Sequence, residues 1–392
     1  MFLGCRESIL DAVMKTNGKS ITYPVKVCVV NPNFYRSSGV TSAIRTIYAA
    51  TSGLGIEQTF VTCNYGDCDQ DTSWLPERSL TSFRLMESNP LVAAKELCAL
   101  ASWLRLKQIS VAHVHHRRLA AILCSSKALH GCRVVYTGQL TYPFAAWFWP
   151  VQPDVATAVS KSVAANMRAT TRINNVRVIG NSVSFATEEG VHNEEDIVVD
   201  AVCVGRLEPV KGHEHLIRAW AILRNQGFRA KLAIVGEGSL LAHLRSLVCE
   251  SGLGDLVEFR GFRADVKREV RRGRFGVLAS QLEGQALAVV EMAACGRASL
   301  LTGVDGSRDC LPPSRRLPNG IPFGDPAALA SALKTWLTSP GVVRDEGQIF
   351  FEFLRQTNSM EVVGQLYAGV YRDVSSGNRG SHRRDASYDQ DV

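Results

Sequence analysis

The chain has 392 residues, 46% apolar and 21% charged, with a formal net charge of +7. That length makes two domains the expectation, each large enough to bury its own core. The charge leans toward anionic partners (a nucleotide, a lipid diphosphate or an anionic leaflet) and is too small to indicate nucleic acid.

Eleven cysteines, an odd number, lie scattered in apolar runs such as those holding Cys28, Cys124 and Cys203. They lack paired metal-ligand spacing, so reduced, buried thiols in a cytoplasm are expected. Residues 1–24 form an N-terminal extension whose Arg6, Glu7, Asp11 and Lys15 interrupt any signal-peptide core. No window approaches twenty apolar residues, so no spanning helix is expected. The aromatic run from Tyr142 to Pro150 suits a packed surface loop, and with the charge it leaves peripheral membrane association open.

From Val25 the pattern alternates between strand and helix. Val25–Val30 reads as a strand, Thr41–Ala50 as a helix and Glu57–Val61 as a strand. Pro90–Leu106 follows as a helix, Val111–His115 as a strand, Leu119–Leu129 as a helix and Arg133–Thr137 as a strand. A strand at Val155–Ser160, a helix from Ser160 and a strand at Val176–Ile179 complete a first domain, 25–187. The polar, acidic stretch 188–196 is the expected linker. A second domain, 197–355, precedes an amphipathic helix at 356–373 and a tail, 374–392, too poor in apolar residues to fold. This is the pattern of two doubly wound α/β domains.

The chemistry concentrates in the second domain, where Glu283 and Glu291 stand eight positions apart. The apolar run Phe275–Ala279 reads as a buried strand, and Leu287, Val290, Met292 and Ala294 suit a helix closed by Gly296. Ligands of open α/β sheets bind at such strand–helix junctions. Backbone N–H groups of Gly284, Gln285, Ala286 and Leu287 would lie unpaired at the helix start and suit a diphosphate, and two carboxylates suit sugar hydroxyls.

These residues resemble family 4 of the retaining glycosyltransferases, which carries a Glu, seven residues, Glu signature. The resemblance extends to Ala201–Gly212, with its Gly205-Arg206-Leu207 and Lys211-Gly212, to Leu232–Gly238 and to Val257–Phe262. It implies the GT-B architecture, two Rossmann-like domains facing a central cleft, with a C-terminal helix crossing back onto the first. It also implies a nucleotide-diphosphate sugar donor, a glycan, glycolipid or small-molecule acceptor, and neither cofactor nor metal.

The resemblance assigns Arg206 and Lys211 to the diphosphate, chemistry that a planar guanidinium fork and a compact ammonium suit. Glu283 falls nearer the transferred sugar, and Glu291 at the ribose hydroxyls. Gly205, Gly236 and Gly39 are glycines where backbone would approach the donor. Three positions depart from the family pattern. Gln285-Ala286 stands where Phe-Gly is usual, Ser38-Gly39 replaces two glycines, and Gln139 stands nearest to a usual histidine. With His115, Gln139 is a candidate acceptor or sugar contact. The rival readings are a non-catalytic relative that keeps the fold as a scaffold or partner subunit, and an epimerase or phosphorylase on the same architecture.

Overall fold

The computed structural model describes residues 24–35, 38–63, 71–77, 79–142, 151–171, 173–185, 196–315 and 320–377. The expected linker and the aromatic run after Tyr142 fall wholly or largely outside these residues.

The first half of the chain builds a seven-stranded sheet. Its strands are β1 (Val25–Asn31), β2 (Ile56–Thr62), β3 (Leu80–Ser82), β4 (Val111–Val114), β5 (Arg133–Gly138), β6 (Val155–Ala158) and β7 (Val176–Val178). Every neighbouring pair is parallel, in the order β3-β2-β1-β4-β5-β6-β7. Runs such as Val27-Cys28-Val29-Val30 are apolar at successive positions, a pattern that a sheet covered on both faces can bury. The connecting helices are α1 (Gly39–Thr51), α2 (Pro90–Leu106), α3 (Arg117–Ser125), α4 (Lys127–His130) and α5 (Lys161–Thr170). Asn89 caps α2 by accepting from Leu91 N, with Pro90 at the first helical position, and Ser160 caps α5 by accepting from Val163 N.

The second sheet holds β8 (Val199–Val204), β9 (Leu232–Val235), β10 (Val257–Gly261), β11 (Gly273–Leu278) and β12 (Ser299–Leu301), parallel in the order β10-β9-β8-β11-β12. Its helices are α6 (His213–Asn225), α7 (Leu241–Glu250), α8 (Val266–Arg271), α9 (Leu287–Ala293), α10 (Asp305–Arg308), α11 (Pro326–Thr338) and α12 (Pro340–Asn358). Strand order reverses between β1 and β4 in one sheet and between β8 and β11 in the other. These switch points open crevices at the carboxyl ends of the strands.

The chain crosses between the domains twice. It leaves after β7, returns at Asn358–Ser359, and the crossings touch: Val183 N donates to Asn358 O at 3.1 Å, and Asn358 Nδ2 donates to Asn181 O at 2.7 Å. The last helix, α13 (Met360–Ser375), then packs on α1, β1 and β4. It buries Tyr367 and Tyr371 fully and runs two residues into the segment read as tail. His113 Nδ1 lies 2.8 Å from the Tyr371 hydroxyl and Nε2 lies 2.6 Å from Thr137 Oγ1, which is 2.6 Å from Thr157 Oγ1. The buried His113 therefore joins α13 to the sheet.

Candidate active site

The loop after β8 is braced from the neighbouring strand before it reaches the crevice. Leu207 N donates to Glu237 O at 2.8 Å, and Leu240 N donates to Leu207 O at 3.0 Å. The Glu208 carboxylate accepts from Ser239 N at 3.1 Å and from Ser239 Oγ at 2.7 Å. Gly236 belongs to this brace, its α-carbon pressed on the Gly205 carbonyl.

The loop then makes a 3-10 turn, Pro209–Lys211, and enters α6 through Gly212 at φ +65°, a left-handed conformation that glycine adopts without strain. A Cβ on Gly212 would strike the carbonyl of Ala279 at the end of β11. Gln281 N also donates to Val210 O at 2.8 Å. These two contacts join the loops after β8 and β11, and Lys211 Nζ lies 2.6 Å from Glu283 Oε1. Ser280 Oγ donates to the same oxygen at 2.7 Å. Removing one partner of a fully buried pair costs about 3–5 kcal/mol; here the Lys211 side chain is 23% exposed, which places the cost lower. Arg206, five residues earlier in the same loop, is exposed, and its side chain makes no hydrogen bond or ion pair among the described residues.

Residues from both domains hold the turn after Glu283. The α-carbon of Gly284 packs so closely on the Gln139 carbonyl that a side chain would not fit. Gly284 O accepts from Ser160 Oγ at 2.5 Å, and Gln285 Oε1 accepts from Asn181 N at 2.5 Å. Ala286 is buried at the start of α9, and no described residue accepts from the backbone N–H groups of residues 284–288. Glu291 lies in the second turn of α9. Burial pushes its carboxyl up to about 7, against the opposing pull of Lys267 and Arg45.

On the first domain, the His115 ring lies 4.2 Å from that of His113 between centroids, tilted by 44°, and burial pushes its imidazole down to about 3. It is therefore neutral, and Gln139 Nε2 lies 3.3 Å from its Nδ1, a donor facing an acceptor. Gly39 begins α1 exposed, with open space in front of its α-carbon. His213, below Lys211, is buried with both ring nitrogens unpartnered; burial, and then Lys211, push it down to about 4. Among the described residues no group of three or more His, Cys, Asp or Glu is placed to hold a metal ion.

The structure thus brings Lys211, Glu283 and Gly205 together at the β8/β11 switch point, with Arg206 in the same loop and Glu291 on the helix that leaves it. The sequence did not single out Ser160, Asn181, Ser280 or Arg45 as site residues: Ser160 reads there only as the start of a helix, and the others carry no local signal.

Residues 199–339 match the model for glycosyl transferases group 1, and residues 37–186 match the model for glycosyltransferase family 4, so the two matches take in the two sheets in turn. The chain belongs to these GT-B glycosyltransferases. Among curated relatives, this glycosyltransferase is 36% identical over 99 residues, 25% of its length and 26% of the relative's, to the Campylobacter jejuni N-acetylgalactosamine-N,N'-diacetylbacillosaminyl-diphospho-undecaprenol 4-alpha-N-acetylgalactosaminyltransferase. It is 26% identical over 176 residues, 44% of its length and 45% of the relative's, to the alpha-D-kanosaminyltransferase of Streptomyces kanamyceticus. The chain thus spans less than half the length of either curated relative. HepE of Anabaena, solved with UDP and glucose, superposes with a TM-score of 0.72 at 16% identity, over 89% of this chain and 100% of that one. The lipopolysaccharide outer core galactosyltransferase WaaB, solved in its apo form, gives a TM-score of 0.69 at 16% identity over the same shares. No helix among the described residues is long and apolar enough to cross a membrane.

Proposed function

We propose that the protein is a retaining glycosyltransferase that moves a hexose or N-acetylhexosamine from a nucleotide-diphosphate sugar to a glycan, glycolipid or small acceptor. The observation that carries this reading is the Lys211–Glu283 pair at the β8/β11 switch point, with the exposed Arg206 in the same loop.

Breaking the bond between sugar and diphosphate places negative charge on the leaving phosphate and positive charge on the anomeric carbon. Arg206 offers five donors to the phosphate oxygens. Lys211 exchanges its Glu283 partner for phosphate as that charge grows, which frees the carboxylate to face the electron-poor sugar. Both responses strengthen toward the transition state, the requirement for raising kcat. Glu291 accepts from the ribose hydroxyls, and Gln139 with the neutral His115 faces the sugar or acceptor from the first domain. No divalent cation is needed when an arginine and a lysine carry the diphosphate charge.

The HepE relative has been solved with UDP-glucose, which supports a nucleotide-sugar donor here. Buried single thiols such as Cys28 and Cys203 support a cytoplasmic site of action, and the +7 charge supports peripheral contact with an anionic leaflet.

The test is thermal stabilisation by UDP-, GDP- and ADP-linked sugars, with and without chelator, alongside Glu291→Ala. A donor at a hundred times its Kd adds about 2.7 kcal/mol to the folded state. One donor is expected to raise Tm by several degrees, in chelator as well, and to lose the effect in the variant. No shift with any donor would favour a non-catalytic relative.

A further inference from the structure

The turn that carries Glu283 is anchored outside its own domain. Gln285 reaches across to the outgoing crossing, where its Oε1 accepts from Asn181 N at 2.5 Å. The other side of Asn181 is held by the returning crossing, since Asn358 Nδ2 donates to Asn181 O at 2.7 Å. One residue of the hinge is therefore gripped through both its backbone N–H and its carbonyl, by the glutamate turn and by the end of α12. One residue earlier in that turn, Gly284 O takes the Ser160 hydroxyl at 2.5 Å, while Ser160 Oγ also accepts from Val163 N to cap α5. A third link crosses nearby, from Ser162 N to Asp309 Oδ2 at 2.8 Å.

We infer that Gln285 is a positioning residue, which fixes the Glu283–Gly284 turn to the hinge and, with Ser160, ties the setting of Glu283 to the orientation of the two domains. The inference rests on the glycosyltransferase reading for the role of Glu283. Its geometry stands on the hinge contacts alone. Gln285 and Glu283 are two residues apart, so a slip at the anchor is taken up by the Gly284 torsions and passed to the carboxylate. Misplacement of a reacting group by about 1 Å costs on the order of a hundredfold in rate. Only the acceptor oxygen of Gln285 is used at Asn181. Glutamate keeps that oxygen, and leucine keeps the bulk without it. Neither replacement removes the backbone N–H of residue 285 from the start of α9.

The experiment uses the full chain with Cys5 and Cys68 changed to serine and spin labels on Cys98 and Cys249, the exposed thiols among the described residues, one on each domain. Inter-label distance distributions are recorded by pulsed electron resonance for the parent, Gln285→Leu and Gln285→Glu, with and without UDP. Turnover is measured with the donor found by thermal stabilisation. The expected result is a broadened distribution in Gln285→Leu, a kcat lower by about tenfold or more with donor KM within about threefold, and restoration of both by Gln285→Glu. An unchanged distribution in Gln285→Leu would overturn the inference, as would broadening that glutamate fails to reverse, or a rise in donor KM with kcat intact. The distances need no donor. If none is found they decide alone, and failure of the glycosyltransferase reading stays distinguishable from failure of the hinge anchor.

Discussion

Glu291 shows how one burial serves two states. Its carboxyl, pushed up to about 7, binds a proton in the folded chain between its ordinary value of 4.5 and 7, where the unfolded chain has released it. That contribution to stability is present at low pH and is lost as pH rises through 7. In the proposed ribose role binding runs the other way, because an ionised carboxylate accepts hydroxyl hydrogen bonds more strongly than the neutral acid. Donor affinity is therefore expected to tighten about tenfold between pH 6 and pH 8, as the ionised fraction climbs with a pKa near 7. Calorimetry with the intact donor at pH 6, 7 and 8 checks this, and Glu291→Gln should flatten the dependence; an equal slope in the variant would place the titration elsewhere. Arg206, Lys211, Glu283 and Glu291 could be proposed from the sequence because each sits in a short motif that resembles the family's. The Lys211–Glu283 pair was not, since its partners lie 72 positions apart and nothing local encodes their meeting. Gln285 stood out as a departure from Phe at that position. Its side-chain partner, 104 positions away across the cleft, had no counterpart in the sequence pattern.

At the level of elements, α2 matched its expected limits because Asn89 and Pro90 mark its start chemically. The helix expected over residues 119–129 is instead two, α3 and α4, parted at Ser126, whose hydroxyl donates to Ile122 O at 2.9 Å. Apolar spacing continues through that break, so periodicity cannot show it. β3 was missed because three residues at a sheet edge carry too short a pattern. The arginines around α8 turn partly inward on Glu269, which meets Arg260 at 2.7 Å, Arg263 at 3.5 Å and Arg272 at 3.6 Å. The entry to α6 gives the sharpest prediction here. Gly212→Ala meets a left-handed backbone, which costs an L-residue about 1–2 kcal/mol, and a collision with Ala279 O as well. Chemical denaturation should show a loss of about 2 kcal/mol or more, with weakened donor binding as Lys211 shifts. Gly254→Ala, where a methyl group meets open space, should stay within about 0.5 kcal/mol of the parent. Equal behaviour of the two variants would refute the joining of the two loops through Gly212.

For the whole molecule, the two-sheet plan followed from alternating apolar segments. Joining the domains depends on side chains far apart in the chain: Asn181 with Asn358, and His113 with Tyr371. A chain ending at Ser359 keeps every element of the second sheet and lacks α13. Its first domain would expose the surface that Tyr367, Val370 and Tyr371 cover. Calorimetry of that truncation should show a transition for the second domain near its parental temperature and loss of the transition for the first. A parental profile would mean α13 is an ornament. The same geometry bears on how the protein is made. Domains commonly fold in the order of synthesis, the N-terminal one first. In this chain the ribosome produces β1 to β7 before the second domain, yet the helix that seals them follows that domain, and the His113–Tyr371 bond spans 258 positions. The second domain, contiguous from β8 to α12, can mature while the first waits unsealed, so the half made first is the half finished last.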